Sequence, residues 1–385
     1  MPRATLAEPI RKTAAPANPC TDPDTTGVKV IPPISGAYQG MFLDSSPEQP
    51  ITDARLSDLT TLSHKNLAIV YFDNAWGHDG LLDLRFPTDA VQTIWNHGAV
   101  PFIRLMPWTT RTESKADPVV SMKSFVDTTG YDAAVTAWLL AAKASKIPLM
   151  VEFGVEVNGT WFPWNGHWSG AGTKTWHDPT WPDGPEAYRL AYQKLITLAR
   201  SNNVWNITWA FHVSHWPQPS EPSANWNQMK YYYPGDSYID WLGLSCYGEM
   251  HPMGKPIGWN PFTDLMGTHN PQLSGGLSPY QELTRLTASL TKPLALLETG
   301  VVEDPPAGDK AAWIVATYAA VTSTQFARLK LANWWNERWD NEPPVGPSDM
   351  RVNSTAATLT GYQTAVAAST IEAVPSFLCT KQTLP

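Results

Sequence analysis

The sequence predicts a single (β/α)8 barrel, an α/β fold in which eight parallel strands alternate with helices. The first observation is that eight apolar, strand-like stretches recur along the chain, with helix-like or loop segments between them. The second is the length of 385 residues, which exceeds one ordinary core but occurs in α/β barrels that form one domain. The third is that polar and aromatic residues follow these stretches rather than precede them. Active sites of such barrels lie at the carboxyl ends of the strands.

Eight stretches are dominated by the apolar residues of buried strands. In chain order they are Ala37–Leu43, Leu67–Asp73, Val100–Met106, Ile147–Glu156, Ile207–Val213, Ile239–Tyr247, Pro293–Glu298 and Leu329–Trp335. Four further segments have the composition or the apolar spacing of helices. These are Tyr131–Ser145, Pro185–Ser201, Asp309–Thr322 and Thr355–Ala368. Residues 1–35, rich in Pro, Thr and Asp, are expected to form an irregular N-terminal arm, and residues 36–385 the barrel.

The composition indicates a protein that binds ligands with flat, partly apolar surfaces. The formal net charge is −8 and no basic stripe is present, which argues against nucleic acid as a partner. Charged residues make up only 16%, whereas there are 19 Trp and 35 Pro, and many Trp fall in Pro- and Gly-containing stretches. Indoles on loops are expected where such surfaces are bound. No apolar run reaches membrane-spanning length, so no membrane association is expected, and the chain is expected to be a monomer.

Several kinds of site are not predicted. The histidines lack metal-ligand spacing, and there is no phosphate-binding glycine loop and no G-x-S-x-G elbow, so neither a metal nor a cofactor is expected. Residues 1–19 lack the apolar core of an intact signal peptide. The three cysteines allow either a terminal Cys20–Cys379 disulfide with Cys246 buried and reduced, or three free thiols. The ends of a closed barrel are neighbours, which predicts the disulfide, and a secreted or periplasmic location is expected.

Residues 151–166, VEFGVEVNGTWFPWNG, form the stretch around which the site is predicted. An apolar strand ends abruptly there in Glu156, followed by an amide and two indoles. Either Glu156 is a salt-bridged residue of a Trp-rich loop, or it is a carboxylic acid at the floor of a sugar-binding cleft. Glu298 likewise ends an apolar strand, PLALLE. Carboxylates at the ends of strands four and seven face each other across a barrel mouth, which is the arrangement that glycoside hydrolysis needs.

Five segments resemble glycoside hydrolase family 26, a clan A family of mostly β-mannanases. VEVNGTWFPWNG (155–166) resembles its H-E-M-N-G-x-W-x-x-W signature, and KPLALLETG (292–300) resembles its second carboxylate motif. The segments 231–248, 203–214 and 332–339 resemble its strands six, five and eight. The resemblance implies that the protein is a retaining, endo-acting β-glycoside hydrolase.

The resemblance assigns roles to individual residues. Glu156 would be the general acid/base and Glu298 the nucleophile, with a carboxyl separation of about 5–5.5 Å. Tyr247 would hydrogen-bond Glu298 and lower its pKa. The remaining candidate substrate-binding residues are Trp334 as the floor under the sugar, Trp161 and Trp164 at neighbouring subsites, and Trp108, Asn158, His212 and Trp335 at strand ends. For Asn158, substrate binding and capping of the loop are both open, whereas Glu152 is expected to pair with Arg104 in a structural ion pair.

The chain departs from the family pattern at three positions. Val155 stands where the family has His, Glu152 where it often has Arg, and Trp335 where the mannanases have Arg. These changes predict lower activity on β-1,4-mannan than on another β-glycan. Mixed-linkage glucan, β-1,3-xylan and exopolysaccharide are the other candidate substrates. A non-catalytic carbohydrate-binding protein on a glycosidase barrel and a transglycosylase are the alternative functions.

Overall fold

The computed structural model describes residues 14–111, 113–220, 224–255, 259–268, 270, 273 and 276–385. Eight parallel strands form a closed barrel, which confirms the predicted fold. They are β1 (Ala37–Phe42), β2 (Ile69–Ala75), β3 (Val100–Met106), β4 (Leu149–Phe153), β5 (Ile207–Ser214), β6 (Trp241–Tyr247), β7 (Leu294–Gly300) and β8 (Leu329–Trp335). Neighbours in this order are hydrogen-bonded. The ring closes because β8 also pairs with β1, from Leu331 opposite Tyr38 to Trp335 opposite Phe42.

Helices alternate with the strands around the barrel, with α1 before the first strand and α11 after the last. They are α1 (Pro23–Thr26), α2 (Asp53–Ser63), α3 (Thr88–Asn96), α4 (Met122–Asp127), α5 (Asp132–Ser145), α6 (Asp183–Ser201), α7 (Met229–Tyr232), α8 (Phe262–Gly267), α9 (Pro279–Arg285), α10 (Lys310–Val321) and α11 (Ala356–Val366). The four helices predicted from the sequence correspond to α5, α6, α10 and α11. In the described part of the chain, no helix has the length and apolar content that a bilayer crossing needs.

Short 3-10 turns and two-residue strands lie in the segments that connect the barrel strands and helices or follow the last of them. The 3-10 turns are Gly166–Ser169, Asn225–Asn227 and Thr324–Phe326. Two-residue strands pair Gly77–His78 with Leu81–Leu82 and Arg338–Trp339 with Ser348–Asp349, and Ile371–Glu372 adds to the start of β1.

The barrel strands separate two apolar layers because alternate side chains point to opposite faces. One buried cluster receives a side chain from every strand and therefore fills the barrel interior. It includes Tyr38, Tyr71, Phe102, Met150, Ala210, Trp241, Leu297 and Leu331. The intervening residues, such as Val70, Ile103 and Phe211, pack with helix residues in a larger outer cluster.

The eight strands lie where the sequence placed them, except at one functionally important end. The fourth strand was expected to run to Glu156, but β4 ends at Phe153. Gly154 has φ 61° and turns the chain there. A Cβ on Gly154 would lie 3.0 Å from both Trp164 and Tyr188, so this close approach favours glycine. Glu156 therefore lies in the turn after the strand.

The N-terminal arm and the chain end meet at the amino-terminal end of the barrel. Lys29–Ile31 pairs with Ser376–Leu378 in an antiparallel ribbon, and Lys29 Nζ contacts Asp240 Oδ2 at 2.8 Å. Cys20 and Cys379 are disulfide-bonded, with Cα atoms 5.4 Å apart. The predicted disulfide is thus confirmed, and Cys246 is buried and reduced.

The arm is not irregular throughout. Its described part contains α1 and the strand Lys29–Ile31, because pairing with the chain end satisfies backbone groups that an irregular arm would leave to water. Residues 1–13 of the expected arm lie outside the described residues. A domain boundary at residue 35 stays a proposal.

Candidate active site

A ring of polar and aromatic side chains lies at the carboxyl end of the barrel, directly above the apolar interior. In each strand these residues follow an interior residue by an even number of positions, or by one in β7, where the strand bulges, so they face the same side. The ring consists of Asp73, Arg104, Glu152, His212, Tyr247, Glu298 and Trp335, from β2 to β8.

Glu298 is held on both sides by donors. A bulge in β7 pairs Leu296 with Leu244 but Glu298 with Ser245 of β6, which turns the carboxylate into the ring. Arg104 Nη2 lies 2.8 Å from Glu298 Oε1. The Tyr247 hydroxyl donates to Oε2 at 2.8 Å, as the resemblance implied.

The ionisation of Glu298 differs from the expectation. Only 4% of the residue is exposed. Burial raises the pKa of Glu298, and the Glu156 carboxylate raises it as well, while the Arg104 guanidinium lowers it. The net effect is a raised pKa, not the lowered one predicted from Tyr247, because desolvation of a buried carboxylate outweighs its favourable contacts.

Arg104 is the main functional residue that the sequence reasoning missed. Its guanidinium contacts Glu298, lies 2.6 Å from Asp73 Oδ1 and 3.7 Å from Glu152 Oε1. It also lies 5.0 Å from the ring centre of Trp335. The expected ion pair with Glu152 is present, but it is the longest of the three contacts of Arg104 with carboxylates. The available signal was a single charge in the apolar run VPFIRLM, two residues after Phe102 and so on the interior face.

Glu152 and His212 form a buried pair within the ring. His212 Nδ1 lies 3.0 Å from Glu152 Oε2, and its Nε2 lies 2.7 Å from Ser245 Oγ. The Tyr71 hydroxyl donates to Glu152. Burial lowers the pKa of His212, but the carboxylates of Glu152, Glu298 and Glu156 together raise it, so the net shift is upward. The expectation that His212 lines the cleft is corrected: 1% of it is exposed and both ring nitrogens are engaged inside the barrel.

Glu156 has different surroundings. It is half-buried, and its backbone has φ 47°, a left-handed conformation that is strained for a residue with a side chain. Its carbonyl accepts a hydrogen bond from Gly159 N at 2.8 Å, which stabilises the turn. Trp161 Nε1 donates to Glu156 Oε2 at 2.7 Å, which places the Trp161 indole beside the carboxylate.

Trp164, expected at a neighbouring subsite, and Trp108, expected to bind substrate at a strand end, instead support this turn. Trp164 is fully buried, and its Nε1 donates to Val155 O at 2.7 Å. It stacks on Phe162, with ring centres 4.5 Å apart, and Trp108 packs against both rings with 7% exposure. Trp164 is therefore corrected to a structural role, since its indole N–H is satisfied inside the core. Trp108 exposes only a small part of its surface to solvent, where a substrate could contact it.

The two tryptophans of β8 exchange the expected roles. Trp334 belongs to the outer cluster, is fully buried and donates to Met350 O at 2.8 Å. The expectation that it lies under the sugar is corrected, because the strand alternation points it away from the interior. Trp335 is half-buried, stacks on Phe42 at 3.8 Å and meets Tyr247 edge-on at 6.5 Å. Trp335 is therefore the indole beside the Glu298 side of the ring.

Asn158 ties two loops together rather than facing a ligand. Its Oδ1 accepts from Ser214 N at 2.7 Å and its Nδ2 donates to Ser214 O at 2.9 Å. The residue is fully buried. Of the two interpretations left open by the sequence, these contacts support loop capping, so the substrate-binding assignment is corrected.

The long loop between β4 and α6 is organised by one carboxylate. Asp183 accepts hydrogen bonds from Thr173 Oγ1 at 2.8 Å, Thr175 N at 2.9 Å and Trp176 N at 3.2 Å. Burial raises the pKa of Asp183, but these hydrogen bonds lower it to about 2. The loop that follows Trp161 is thus fixed at its far end. Within the described residues, no cluster of His, Cys, Asp and Glu could hold a metal ion.

Comparison with known proteins agrees with this geometry. The model of Glycosyl hydrolase family 26 matches residues 91–271. Endoglucanase H of Acetivibrio thermocellus is 24% identical over 339 residues, which is 87% of this chain and 31% of that protein. The chain thus spans about a third of the length of the curated relative it matches.

Solved structures support the fold. A modular endo-β-1,4-mannanase from Cellulomonas fimi is 17% identical, with a TM-score of 0.59 over 90% of this chain and 75% of that one. The catalytic domain of a Bacillus sp. JAMB-750 endo-β-1,4-mannanase is 17% identical, with a TM-score of 0.56 over 88% and 87% of the two chains. At these identities the similarity shows the fold alone.

Proposed function

We propose that this chain is a glycoside hydrolase of family 26, whose model matches residues 91–271, and that it hydrolyses β-linked bonds within a polysaccharide with retention of configuration. Glu298 is the proposed nucleophile and Glu156 the general acid/base. The observation that carries the proposal is the different support of the two carboxylates at one barrel mouth. Glu298 is fixed by Arg104 and Tyr247, whereas Glu156 is half-exposed beside one indole.

In the first step, a carboxylate oxygen of Glu298 attacks the anomeric carbon. Glu156 gives its proton to the glycosidic oxygen, the carbon–oxygen bond breaks, and its electron pair goes to the departing sugar. The Tyr247 hydroxyl and the Arg104 guanidinium hold the two oxygens of Glu298. The carboxylate is therefore already oriented, and little conformational entropy is lost when it attacks the carbon.

In the second step, Glu156 acts as a base. It takes a proton from water, the water oxygen bonds to the anomeric carbon, and the bond to Glu298 breaks. Two inversions give overall retention. The half-exposed position of Glu156 suits this step, because the residue exchanges protons with the leaving group and then with water.

Trp335 is the proposed sugar platform on the nucleophile side, and Trp161 lies on the acid/base side. Val155, which replaces the family's His, is fully buried in the outer cluster and offers no hydrogen bond to a sugar hydroxyl. Activity on β-1,4-mannan is therefore expected to be lower than on another β-glycan. A substrate panel in which mannan is clearly the best substrate contradicts this part.

The test is release of reducing sugar from mannan, mixed-linkage glucan, β-1,3-xylan and bacterial exopolysaccharides. Proton NMR of the first product should show retained configuration, and inverted configuration would rule out Glu298 as nucleophile. Oligosaccharide binding without any release would instead indicate a carbohydrate-binding protein. Products longer than the substrate would indicate a transglycosylase.

We also propose that the protein acts outside the cytoplasm as a monomer. The Cys20–Cys379 disulfide supports the location, since such bonds persist in oxidising compartments. Cell fractionation with alkylation of free thiols tests it, and one dominant species in light scattering is the expected result for the monomer.

A further inference from the structure

Trp216 differs from every other tryptophan of the chain. All 19 tryptophans fall within the described residues, and Trp216 alone is classed as exposed, with 45% of its surface accessible. Tryptophan is usually largely buried, so an exposed indole on a well-tied loop needs a reason. The other tryptophans are at least partly buried, because they pack in the core or against loops.

The loop that carries Trp216 follows β5 and is fixed in place. Trp216 N donates to Ser214 Oγ at 3.1 Å, and His215 N donates to Ser245 O at 3.0 Å. Further along, Asn227 Nδ2 donates to Pro219 O at 2.9 Å. An indole on such a loop is presented with little freedom, which reduces the entropy lost when a ligand stacks on it.

The same loop lies against the turn of the proposed acid/base. Gln218 N donates to Asn158 O at 2.9 Å, and Gln218 forms a parallel bridge with Gly159. Gly159 is also covered by the Trp161 indole, since a Cβ there would lie 2.2 Å from that ring. Trp161 hydrogen-bonds Glu156. Trp216 and Glu156 are thus linked through a chain of direct neighbours.

The side of the cleft follows from the chemistry. In a double displacement the general acid protonates the oxygen of the leaving sugar, so the leaving part of the substrate lies on the acid's side. The loops after β4 and β5 lie on that side, whereas Trp335 at the end of β8 lies beside Tyr247 and the nucleophile. The loop that carries this exposed indole therefore lies on the side of the site where the leaving chain is expected.

We propose that Trp216 forms a stacking platform for a sugar of the leaving part of a β-linked glycan chain, beyond the unit that Trp161 contacts. This inference rests on the proposed function and extends it to a specific subsite. The apolar face of a pyranose lies flat on an indole. Stacking on Trp216 therefore favours substrates long enough to reach it and does not depend on one pattern of hydroxyl groups. The platform acts in substrate binding and leaves the chemical step to Glu156 and Glu298.

The test compares Trp216→Ala with the wild-type full chain on two substrates of the same linkage. One is an oligosaccharide long enough to extend past the cleavage point on the leaving side. The other is an aryl glycoside whose small leaving group cannot reach Trp216. We expect kcat/KM for the oligosaccharide to fall about tenfold, mainly through KM, and for the aryl glycoside to stay within about twofold.

Two further variants sharpen the result. Trp216→Phe keeps a flat apolar ring and should retain most of the kcat/KM for the oligosaccharide. Leu290→Ala removes another exposed hydrophobic side chain, which is 87% exposed. Leu290 lies just before β7, at the opposite end of the barrel, so this variant should keep the wild-type kcat/KM for both substrates. Circular dichroism and thermal unfolding should show that all variants are folded.

Equal losses on both substrates, or no loss on either, would overturn the proposal. A failure of the proposed function is distinguishable, because the wild-type protein would then hydrolyse neither substrate. Oligosaccharide binding measured by calorimetry in the Glu298→Ala background would still test the platform in that case. Unchanged affinity on adding Trp216→Ala would refute it.

Discussion

The two carboxylates of the site have different surroundings, and the difference matches the two tasks that we propose for them. Glu298 lies on a strand, is 4% exposed, and has a guanidinium on one oxygen and a phenol on the other. Glu156 lies in a strained turn, is half-buried and has one indole hydrogen bond. A nucleophile needs a fixed position and an ionised form, whereas an acid/base must change protonation twice per turnover. The barrel supplies rigid support to one residue and access to the other.

The largest effect is expected from Glu298→Ala. Without the nucleophile no glycosyl-enzyme can form, so kcat should fall by about 10⁴-fold or more on every substrate. The measurement is the rate of reducing-sugar release, with Glu298→Gln as a control of nearly identical shape. Addition of azide to the Glu298→Ala variant should yield a glycosyl azide of inverted configuration, because the anion attacks from the side that the Glu298 carboxylate has vacated. An azide product of retained configuration would reverse the two assignments.

A smaller, substrate-dependent effect is expected from Glu156→Ala. Loss of general acid assistance should slow a natural glycan by about 10²–10⁴-fold. An aryl glycoside with a good leaving group needs less assistance, so its first step should be slowed least. A covalent intermediate on Glu298 should then accumulate and appear in the mass spectrum of the intact protein. Equal slowing of both substrates would show that Glu156 has another role.

Arg104→Met tests the support of the nucleophile. The guanidinium lowers the pKa of Glu298 against the effect of burial, so its loss should raise that pKa further. Because the nucleophile must be ionised, the acidic limb of the kcat/KM profile should move to higher pH. We expect a loss of about 10²-fold at pH 6.

Arg104→Lys is the matched control, since it keeps the charge but loses the forked geometry. Its acidic limb should stay near that of the wild type, with a smaller loss of activity. The Met variant is expected to lose about 3–5 kcal/mol of stability, because it leaves buried carboxylates unpaired. An acidic limb that does not move in Arg104→Met would show that Glu298 titrates independently of Arg104.

The smallest effect is expected from His212→Gln, which acts beneath the site. The folded-state pKa of His212 is raised, so its contribution to stability is complete below its ordinary value of about 6.5. That contribution is lost as pH rises through the folded-state pKa. The wild type should therefore lose more stability between pH 6 and pH 9 than the variant, as measured by urea unfolding. Parallel pH dependences of the two proteins would contradict a charged His212–Glu152 pair.

The sequence by itself determined the barrel fold and singled out the two carboxylates that we propose react. Apolar runs of strand length located all eight strands, because burial on both faces leaves a continuous local signal. Glu156 and Glu298 stood out since a carboxylate is costly after such a run. The neighbourhood of the two chain ends predicted the Cys20–Cys379 bond, which the structure confirms.

Only the tertiary structure decided which residues support the proposed reacting pair. Arg104 reaches Glu298 across the barrel, and a bulge in β7 turns Glu298 toward it, and neither feature is a local pattern. The family resemblance placed Trp334 at the sugar, but the alternation of β8 turns it outward and brings Trp335 inward. His212 has the side chain of a sugar ligand, yet its depth in the barrel and its contact with Glu152 give it a buried role. Composition shows what a side chain can do, whereas the register between strands sets which partner it meets.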